Sequence, residues 1–293
     1  MKNSSGLKLY GILGYPLGHT LSPAMQEAAF GKTGPNAHYL ALELPPASFR
    51  KAMRRLSSWI IDGANVTVPY KEAVMPYLEE LSPEARAIGA VNTLFRKKKK
   101  WIGTNTDAAG FLTALKTDRK FDPRGKKVLV LGAGGSARAV IYGLLKEKAA
   151  RIGIANRHES RAKKIQKDFG RLFPKTRVDL LPLAPEALKD ALAGADLVVN
   201  ATSVGLRAGD PSLIPARIFP EAGKKGMKRI LFFDLIYRPA ETALLRLARR
   251  RGHRTANGAS MLLYQGAKSF EIWTGEKAPV AVMRNALFQA LKK

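Results

Sequence analysis

Short apolar runs alternate along this chain with stretches in which apolar residues recur every three or four positions. This alternation is typical of α/β proteins, in which helices connect the parallel strands of a sheet. In the first third of the chain the pattern predicts strands at 7–13, 38–44 and 64–68 and helices at 22–33, 48–56 and 72–81. Ser22 and Pro23 predict one helix start, because a hydroxyl caps free N–H groups and proline suits the first turn.

A hairpin and a second α/β stretch follow. The pattern predicts a hairpin from 91–96 and 101–105, with the lysine run Lys97–Lys100 at its solvated turn. From Lys126 onward it predicts strands at 128–131, 152–155, 178–181, 197–200 and 230–234. Helices are predicted at 137–147, 161–169, 185–193, 242–250, 259–273 and 280–291.

Length and composition restrict the class of protein. A chain of 293 residues is long enough for two domains of about 150 residues each. Cysteine is absent, which excludes disulfides, a thiolate nucleophile and cysteine-bound zinc, and the four histidines lack metal-ligand spacing. No apolar run approaches the roughly 20 residues that span a bilayer, and the start of the chain lacks the apolar region of a signal peptide. We expect a cytoplasmic chain with no membrane partner and no metal.

The charge is strongly basic, with 50 Lys and Arg against 23 Asp and Glu and a net charge of +27. Residues 1–106 carry 14 basic and 7 acidic groups, residues 107–257 carry 31 and 14, and residues 258–293 carry 5 and 2. The excess is thus spread along the chain, without a basic tail or interleaved aromatic residues. We expect a solvated basic surface, weak non-specific adhesion to nucleic acid at low salt, and no specific nucleic-acid partner.

A glycine-rich turn follows the strand at 128–131 and opens a helix, with the sequence GAGGSA at 132–137. Gly132 permits the tight turn, Gly134 lets the backbone approach a pyrophosphate, and Ala137 keeps the helix close to the strand. The N–H groups at the helix start favour phosphates. This context predicts a dinucleotide site; the alternative is a structural turn.

The end of the next strand bears on the choice of dinucleotide. An NAD site usually has an acidic residue there for the ribose 2′-OH, whereas this chain has Asn156 and Arg157, with Arg161 close behind. Two guanidinium groups suit a 2′-phosphate, so the sequence favours NADP over NAD. The alternative is that these are two more arginines of a basic chain.

Polar segments in the first half stand where a purely structural interpretation expects apolar residues: GHTLSP (18–23), GANVTVPYK (63–71) and GAVNT with GTNTD (89–107). Together with NATSVG (200–205), FDLIY (233–237) and NGASMLLYQGA (257–267), they closely resemble the shikimate dehydrogenase family over nearly the whole chain. The resemblance implies a substrate domain with a mixed, mainly parallel sheet (1–106 plus 258–293). It also implies a Rossmann-like, doubly wound NADP-binding domain (107–257), with a semi-rigid helical junction and a cleft between the two.

The resemblance also implies roles for individual residues. Lys71 and Asp107 are the catalytic pair, and Thr20 and Ser22 hold the substrate carboxylate. The remaining substrate contacts are Asn65, Thr67, Asn92, Tyr237 and Gln265. The cofactor contacts are Gly132, Ala133, Gly134, Gly135, Ser136, Ala137, Asn156, Arg157, His158, Arg161, Ala201, Thr202, Ser203, Leu235, Gly258 and Met261.

The implied activity is the NADPH-dependent, reversible reduction of 3-dehydroshikimate to shikimate, a step of aromatic amino-acid biosynthesis, by a monomer or homodimer. Two positions depart from the family pattern: Thr20 replaces the usual serine, and His158 replaces the usual threonine. Both favour the alternative of a quinate/shikimate dehydrogenase of broader substrate and cofactor use. A glutamyl-tRNA reductase is excluded because it needs a thiol. A nucleotide sensor or nucleic-acid binder that retains the fold is a further alternative, opposed by the presence of Lys71 and Asp107.

Overall fold

The structure, a computed structural model, describes residues 6–207 and 209–292, apart from the side chain of Lys225. The first five residues, which open the stretch predicted not to be a signal peptide, lie outside this part of the chain. The described residues divide into two compact units. The first runs up to Gly110 and resumes at Leu262, and the second spans Phe111–Met261.

The elements are as follows. Up to residue 113 they are β1 (Lys8–Gly14), α1 (Ser22–Thr33), β2 (Ala37–Glu43), α2 (Pro46–Met53), β3 (Gly63–Val66), β4 (Glu80–Leu81), α3 (Pro83–Ile88), β5 (Thr93–Lys97), β6 (Lys100–Thr104) and α4 (Asp107–Thr113). Next come β7 (Lys127–Leu131), α5 (Gly135–Lys146), β8 (Arg151–Ala155), α6 (Glu159–Leu172), β9 (Arg177–Leu181), α7 (Pro185–Gly194) and β10 (Leu197–Asn200). The last are β11 (Leu231–Asp234), α8 (Ala243–Arg250), β12 (Arg254–Ala256), α9 (Ala259–Thr274) and α10 (Val280–Ala290).

The first unit is built on a mixed sheet in the order β2-β1-β3-β5-β6-β4. Strand β1 pairs in parallel with β2 and β3, whereas β3–β5 and β5–β6 are antiparallel. Tyr10 of β1 stacks on Trp273 of α9 at 4.9 Å and on Phe30 of α1 at 5.3 Å, so aromatic rings join this sheet to its helices. The predicted hairpin is confirmed, with Lys98 and Lys99 at its turn.

The second unit is built on a parallel sheet in the order β12-β11-β10-β7-β8-β9. Every strand pair in it is parallel, and the strand order changes direction between β7 and β10. In doubly wound sheets, ligands bind at the carboxyl ends of the strands on either side of such a switch. The predicted architecture of a mixed sheet and a doubly wound sheet is confirmed. The predicted domain limits stay a prediction; both junctions between the compact units fall inside helices, α4 and α9.

The predicted helix at 72–81 is wrong. The chain forms turns there, a short 3-10 helix at Met75–Tyr77 and the strand β4. Pro76 lacks the N–H that a helix interior needs, and its ring clashes with the preceding turn. Lys71 therefore lies in a turn, where its carbonyl oxygen accepts a hydrogen bond from the Val91 N–H at 2.7 Å.

The predicted capping role of Ser22 is also wrong. Leu21 occupies the N-cap position of α1 without a side-chain cap, and Ser22 is the first helical residue. Besides β4, two further short elements were not predicted. One is α3, where the Ser82 hydroxyl accepts from the Ala85 N–H at 3.1 Å. The other is β12, whose three residues carry no apolar run.

His253 lies in the core of the second unit, just before β12. Its ring packs 5.3 Å from the ring of Phe232, Nδ1 accepts from the Ile230 N–H at 3.2 Å, and Nε2 lies 3.1 Å from the carbonyl oxygen of Pro220. Burial lowers the pKa of His253 from its ordinary 6.5, and the bond to Pro220 opposes this only in part. The folded chain therefore favours the neutral ring.

Mild acid is expected to destabilise the second unit. Just below pH 6.5, His253 is protonated in the unfolded chain and still mostly neutral in the folded chain, because its pKa is lower there. The unfolding free energy therefore falls as the pH drops from 6.5 toward the lower folded pKa, by at most about 1.4 kcal/mol per pH unit. Denaturant titrations at pH 7.5, 6.5 and 5.5 measure this change. His253→Gln should flatten the dependence and His19→Gln, at an exposed position, should keep it. Equal slopes in both variants would contradict the assignment.

Candidate active site

Lys71 and Asp107 form a buried ion pair in the first unit. Lys71 Nζ lies 2.6 Å from Asp107 Oδ2, and the two side chains are only 12% and 5% exposed. Asp107 is the first residue of α4, and its backbone N–H donates to Asn105 Oδ1 at 3.0 Å. Ion pairs with so little solvent are rare unless their remaining polar atoms are also hydrogen-bonded.

Asn92 supplies that further bond to the carboxylate. Its Nδ2 donates to Asp107 Oδ1 at 2.8 Å, so each oxygen of the carboxylate has its own donor. The orientation of the Asn92 amide is fixed because Oδ1 accepts from the backbone N–H of Thr106 at 2.7 Å. A backbone N–H is only a donor, so a flipped amide would lose this bond and the bond to Asp107.

Two other predicted substrate contacts join the same cluster. Gln265 Oε1 accepts from Asn92 Nδ2 at 3.2 Å, and its Nε2 donates to the Leu262 carbonyl oxygen at 2.9 Å. Asn65 Oδ1 accepts from the Tyr39 hydroxyl at 2.7 Å. Gly110 of α4 permits the close approach of α9, since a Cβ there would lie 2.6 Å from the backbone nitrogen of Gln265.

Three buried hydroxyl groups that were not predicted as site residues connect these amides. They belong to Thr93, Thr106 and Ser269. Ser269 Oγ lies 2.9 Å from Thr93 Oγ1, 3.2 Å from Thr106 Oγ1 and 2.9 Å from Asn65 Nδ2. A signal was present for Ser269, which follows Gln265 by four residues and so lies on the same helix face.

The other predicted substrate contacts lie on other segments of the chain. Thr20 is half-buried, and its Oγ1 accepts from the N–H of the buried Ser22 at 3.4 Å, at the start of α1. Thr67 directly follows β3, and its N–H donates to the Leu13 carbonyl oxygen at 2.8 Å. Tyr237 belongs to the second unit, after β11. The structure thus brings Lys71, Asp107, Asn92, Gln265 and Asn65 together, and Thr20 with Ser22.

The glycine-rich turn of the second unit has the geometry that its motif predicts. Gly132 has φ +114°, and a Cβ there would lie 2.9 Å from the Ala201 carbonyl oxygen. Gly134 is the N-cap of α5 and has no side-chain cap, while Ala137 is fully buried against the sheet. A Cβ at Gly134 would meet no heavy atom within 4 Å. The turn thus leaves open space beside the N–H groups of the first turn of α5, which suits a pyrophosphate.

The remaining predicted cofactor contacts follow the carboxyl ends of β8, β10 and β11 or lie at the start of α9. Because these strands are parallel, the loops after them meet at one edge of the sheet, beside the glycine turn after β7. The turn itself comprises Gly132, Ala133, Gly134, Gly135, Ser136 and Ala137. The loops contribute Asn156, Arg157, His158 and Arg161 after β8, Ala201, Thr202 and Ser203 after β10, Leu235 after β11, and Gly258 and Met261 around the start of α9.

Basic side chains follow the end of β8, in the loop and the first turn of α6. Arg157, His158 and Arg161 are exposed, and within the described residues neither guanidinium forms an ion pair or hydrogen bond. Asn156 Nδ2 donates to the His158 carbonyl oxygen at 2.8 Å, which shapes the loop. No carboxylate stands at this strand end, so the donor set fits a 2′-phosphate better than a ribose diol.

A buried acid shapes the loop after β10, and sequence reasoning missed its role. Asp234, at the end of β11, accepts from Thr242 Oγ1 at 2.7 Å and from Asn200 Nδ2 at 3.0 Å. Asn200 Oδ1 in turn accepts from the backbone N–H of Thr202 at 3.0 Å. Burial raises the pKa of Asp234 above its usual range, against the opposing effect of these hydrogen bonds. The signal was a charged residue at the end of an otherwise apolar strand.

In the part of the chain that the structure describes, no three His, Asp or Glu side chains come together as a metal ion would require. No helix there has the length and hydropathy needed to cross a membrane.

A doubly wound unit with a phosphate-binding turn and a unit with a buried Lys–Asp pair are typical of dinucleotide-dependent oxidoreductases. Residues 12–94 match the shikimate dehydrogenase substrate binding domain, residues 115–238 match shikimate/quinate 5-dehydrogenase, and residues 258–288 match the shikimate 5′-dehydrogenase C-terminal domain. The shikimate dehydrogenase (NADP⁺) of Methanopyrus kandleri is 43% identical, over 96% of this chain and 95% of its own. The chain therefore belongs to the shikimate dehydrogenase family.

Two solved structures are similar over almost their whole length. Shikimate 5-dehydrogenase from Thermus thermophilus, in complex with NADP(H) and shikimate, is 36% identical with a TM-score of 0.82, covering 97% of this chain and 100% of that one. Quinate dehydrogenase from Corynebacterium glutamicum, in complex with NAD, is 28% identical with a TM-score of 0.84, covering 97% and 100%.

Alanine substitutions at two glycines of the turn are expected to affect different properties, one the stability of the fold and the other the binding of NADPH. Gly132→Ala should lower the unfolding free energy by about 1–3 kcal/mol, because its φ is strained for alanine and its Cβ approaches Ala201. Gly134→Ala should leave stability within about 0.5 kcal/mol and weaken NADPH binding at least tenfold, since its Cβ enters the space of the pyrophosphate. Thermal unfolding and fluorescence titration measure the two effects. Unchanged NADPH affinity in Gly134→Ala would contradict this placement of the cofactor.

Proposed function

We propose that this protein is an NADP-dependent shikimate dehydrogenase, which reversibly reduces 3-dehydroshikimate to shikimate. The observation that carries the proposal is the buried pair of Lys71 and Asp107, whose Nζ and Oδ2 atoms lie 2.6 Å apart and whose carboxylate also accepts from Asn92 Nδ2 at 2.8 Å. A carbonyl reduction needs a proton donor beside the oxygen that becomes charged, and an ammonium group held in one place meets that need. Membership of the family supports the choice of substrate.

NADPH, when bound, supplies the hydride for the ring carbonyl. Lys71 Nζ donates a proton to the carbonyl oxygen as negative charge develops there, and takes it back from the hydroxyl in the reverse direction. Asp107 keeps Nζ in place and compensates its charge. Because Asn92 occupies the other carboxylate oxygen, Asp107 cannot rotate away from Lys71 without breaking a second hydrogen bond.

The remaining substrate contacts are hydrogen-bonding groups suited to a small polyol carboxylate. We assign the substrate carboxylate to Thr20 and Ser22, where the start of α1 adds favourable potential for an anion. The ring hydroxyls are assigned to Asn65, Thr67, Asn92, Tyr237 and Gln265. The ion pair and its amide partners all lie in the first unit, and we propose a monomer or homodimer as the active species.

The choice of NADPH is supported by the loop after β8. Arg157 and Arg161 bind the 2′-phosphate, and the N–H groups at the start of α5 bind the pyrophosphate. The ribose and nicotinamide are bound by the loop after β10 together with Leu235, Gly258 and Met261. We place the protein in the cytoplasm, because a biosynthetic reduction draws on the NADPH of that compartment.

A second candidate is a quinate/shikimate dehydrogenase of broader specificity. The observation that favours it is Thr20, which lies beside Ser22 with an added methyl group that narrows the pocket and restricts the side chain. His158 in the proposed 2′-phosphate loop favours wider cofactor use for a different reason, since the loop loses the small hydroxyl of the usual threonine. Quinate oxidation with NAD is the activity that this candidate predicts.

Absorbance at 340 nm, with shikimate or quinate and NADP or NAD in all four pairings, tests both candidates. The expected result is turnover with shikimate and NADP that exceeds the other pairings at least tenfold. Lys71→Ala should lower kcat by about 10²–10⁴, the usual effect of losing a general acid. Lys116→Ala is the matched control, since it removes a lysine from an equally short but exposed ion pair with Glu147.

The outcomes separate the candidates. Comparable rates with quinate or NAD would favour the broader enzyme. Turnover that survives Lys71→Ala would contradict the assigned role of the ion pair. Absence of turnover in all four pairings from folded protein would overturn the proposed function.

A further inference from the structure

The exposed face of α6 carries a row of positive charges. Arg161, Lys164, Lys167 and Arg171 follow one another at spacings of three, three and four residues, and all four are exposed. At 100° per residue they fall within an arc of about 120° on one side of the helix. The opposite side holds the buried residues Ala162, Ile165 and Phe169. We call the four cations the α6 cation row.

The carboxylates near this row are already engaged elsewhere. Glu159 pairs with Lys163 at 2.9 Å, and Asp168 pairs with the buried Arg138 at 2.8 Å. Asp179 of the neighbouring strand β9 binds two arginines, at 2.5 and 2.7 Å from Arg151 and Arg177. Within the described residues the four cations of the row form no ion pair. Residues 157–177 contain eight Lys and Arg against two Asp and Glu, so the local excess is +6.

The positive charges of the α6 cation row lower the stability of the helix itself. Lys164 and Lys167 are three residues apart, and Lys167 and Arg171 are four apart, so like charges face each other along the same side. Such pairs destabilise a helix. Replacing them with neutral residues of similar length should therefore leave the fold at least as stable, and a binding defect in such a variant has a cause other than unfolding.

The row is continuous with the proposed 2′-phosphate site. Arg161 is its first member, and Lys164 and Lys167 lie about 4.5 and 9 Å further along the helix axis. Fields from exposed charges extend about 10 Å at 0.1 M salt, so their potential reaches the entry to this site. NADPH carries a pyrophosphate and a 2′-phosphate, and one-signed surfaces beside a site raise the association rates of such anions.

We propose that the α6 cation row is a capture surface for the phosphates of NADPH, which accelerates cofactor association. The inference rests on the proposed function, because it needs NADPH as the ligand of the second unit. Lys164, Lys167 and Arg171 act before the cofactor is seated, and they do not hold it afterwards. Their removal should therefore change the association rate constant and leave the dissociation rate constant unchanged.

Stopped-flow measurement of NADPH fluorescence tests the proposal with a matched pair of triple variants. One is Lys164→Gln, Lys167→Gln and Arg171→Gln. The control is Lys97→Gln, Lys98→Gln and Lys99→Gln at the exposed hairpin turn, which removes the same total charge from a different surface. At about 20 mM salt, the α6 variant should associate about fivefold more slowly, and the control should stay within twofold of the unsubstituted chain. At about 0.5 M salt the three proteins should agree, because the charges are screened.

Each contrary outcome has its own meaning. Equal slowing of both variants would overturn the proposal, because only total charge would matter. A faster dissociation rate in the α6 variant would overturn it as well, because the row would then contact the seated cofactor. If the unsubstituted chain turns over shikimate with NADP and the α6 variant associates at the same rate, this inference alone fails. If the unsubstituted chain binds no NADPH, the proposed function fails with it.

Discussion

The hydrogen bond from Asn92 to Asp107 is the constraint on which the first unit's chemistry depends. It lies in a region with almost no solvent, where an ion pair with an unsatisfied oxygen would be costly. The Thr106 backbone fixes which end of the Asn92 amide faces Asp107, and the Leu262 carbonyl oxygen does the same for Gln265. The position of Lys71 Nζ is thus set by backbone groups of the α4 and α9 segments, which depend on the packing of the unit.

A comparable arrangement shapes the second unit. Asp234 fixes Asn200, and Asn200 fixes the loop that contains Thr202, at the strand ends beside the glycine turn. In the first unit the Thr106 backbone N–H orients the amide of Asn92 just before β5, and in the second unit the buried carboxylate of Asp234 orients the amide of Asn200 at the end of β10. Such buried networks are rigid when every member has a partner, and they define one geometry for the groups around them. This geometry is what positioning a substrate or cofactor requires.

The sequence predicts every strand of the two sheets except β4 and β12, because each of the others carries a short apolar run bounded by turn residues. It fails where local pattern and backbone chemistry disagree. Residues 72–81 have helical spacing, but Pro76 cannot donate the bond that a helix needs, and the chain turns instead. The role of Ser22 fails for a subtler reason: Leu21 takes the N-cap position, which leaves the Ser22 hydroxyl out of the cap.

The candidate active site was likewise predicted only in part. Lys71, Asp107, Asn92, Gln265 and Asn65 were predicted, and the structure joins them by hydrogen bonds. Thr93, Thr106 and Ser269 were not singled out. A small hydroxyl residue in a strand or helix looks the same in sequence whether it packs against apolar groups or links three amides. Only the fold, which brings β5, α4 and α9 together, distinguishes the two cases.

A double-mutant cycle on kcat with Thr106→Val and Lys71→Ala tests the central claim, that the hydroxyl and amide network acts through the ion pair. Thr106 Oγ1 accepts from Asn92 Nδ2 at 2.9 Å, and the same amide group donates to Asp107, so the valine removes the hydroxyl contact and keeps the backbone bond. Thermal unfolding of each variant controls for loss of fold. The account predicts that Thr106→Val lowers kcat at least tenfold alone and has almost no further effect once Lys71 is absent, because both changes remove the same function. Equal fold-losses from Thr106→Val in the presence and absence of Lys71 would contradict the account.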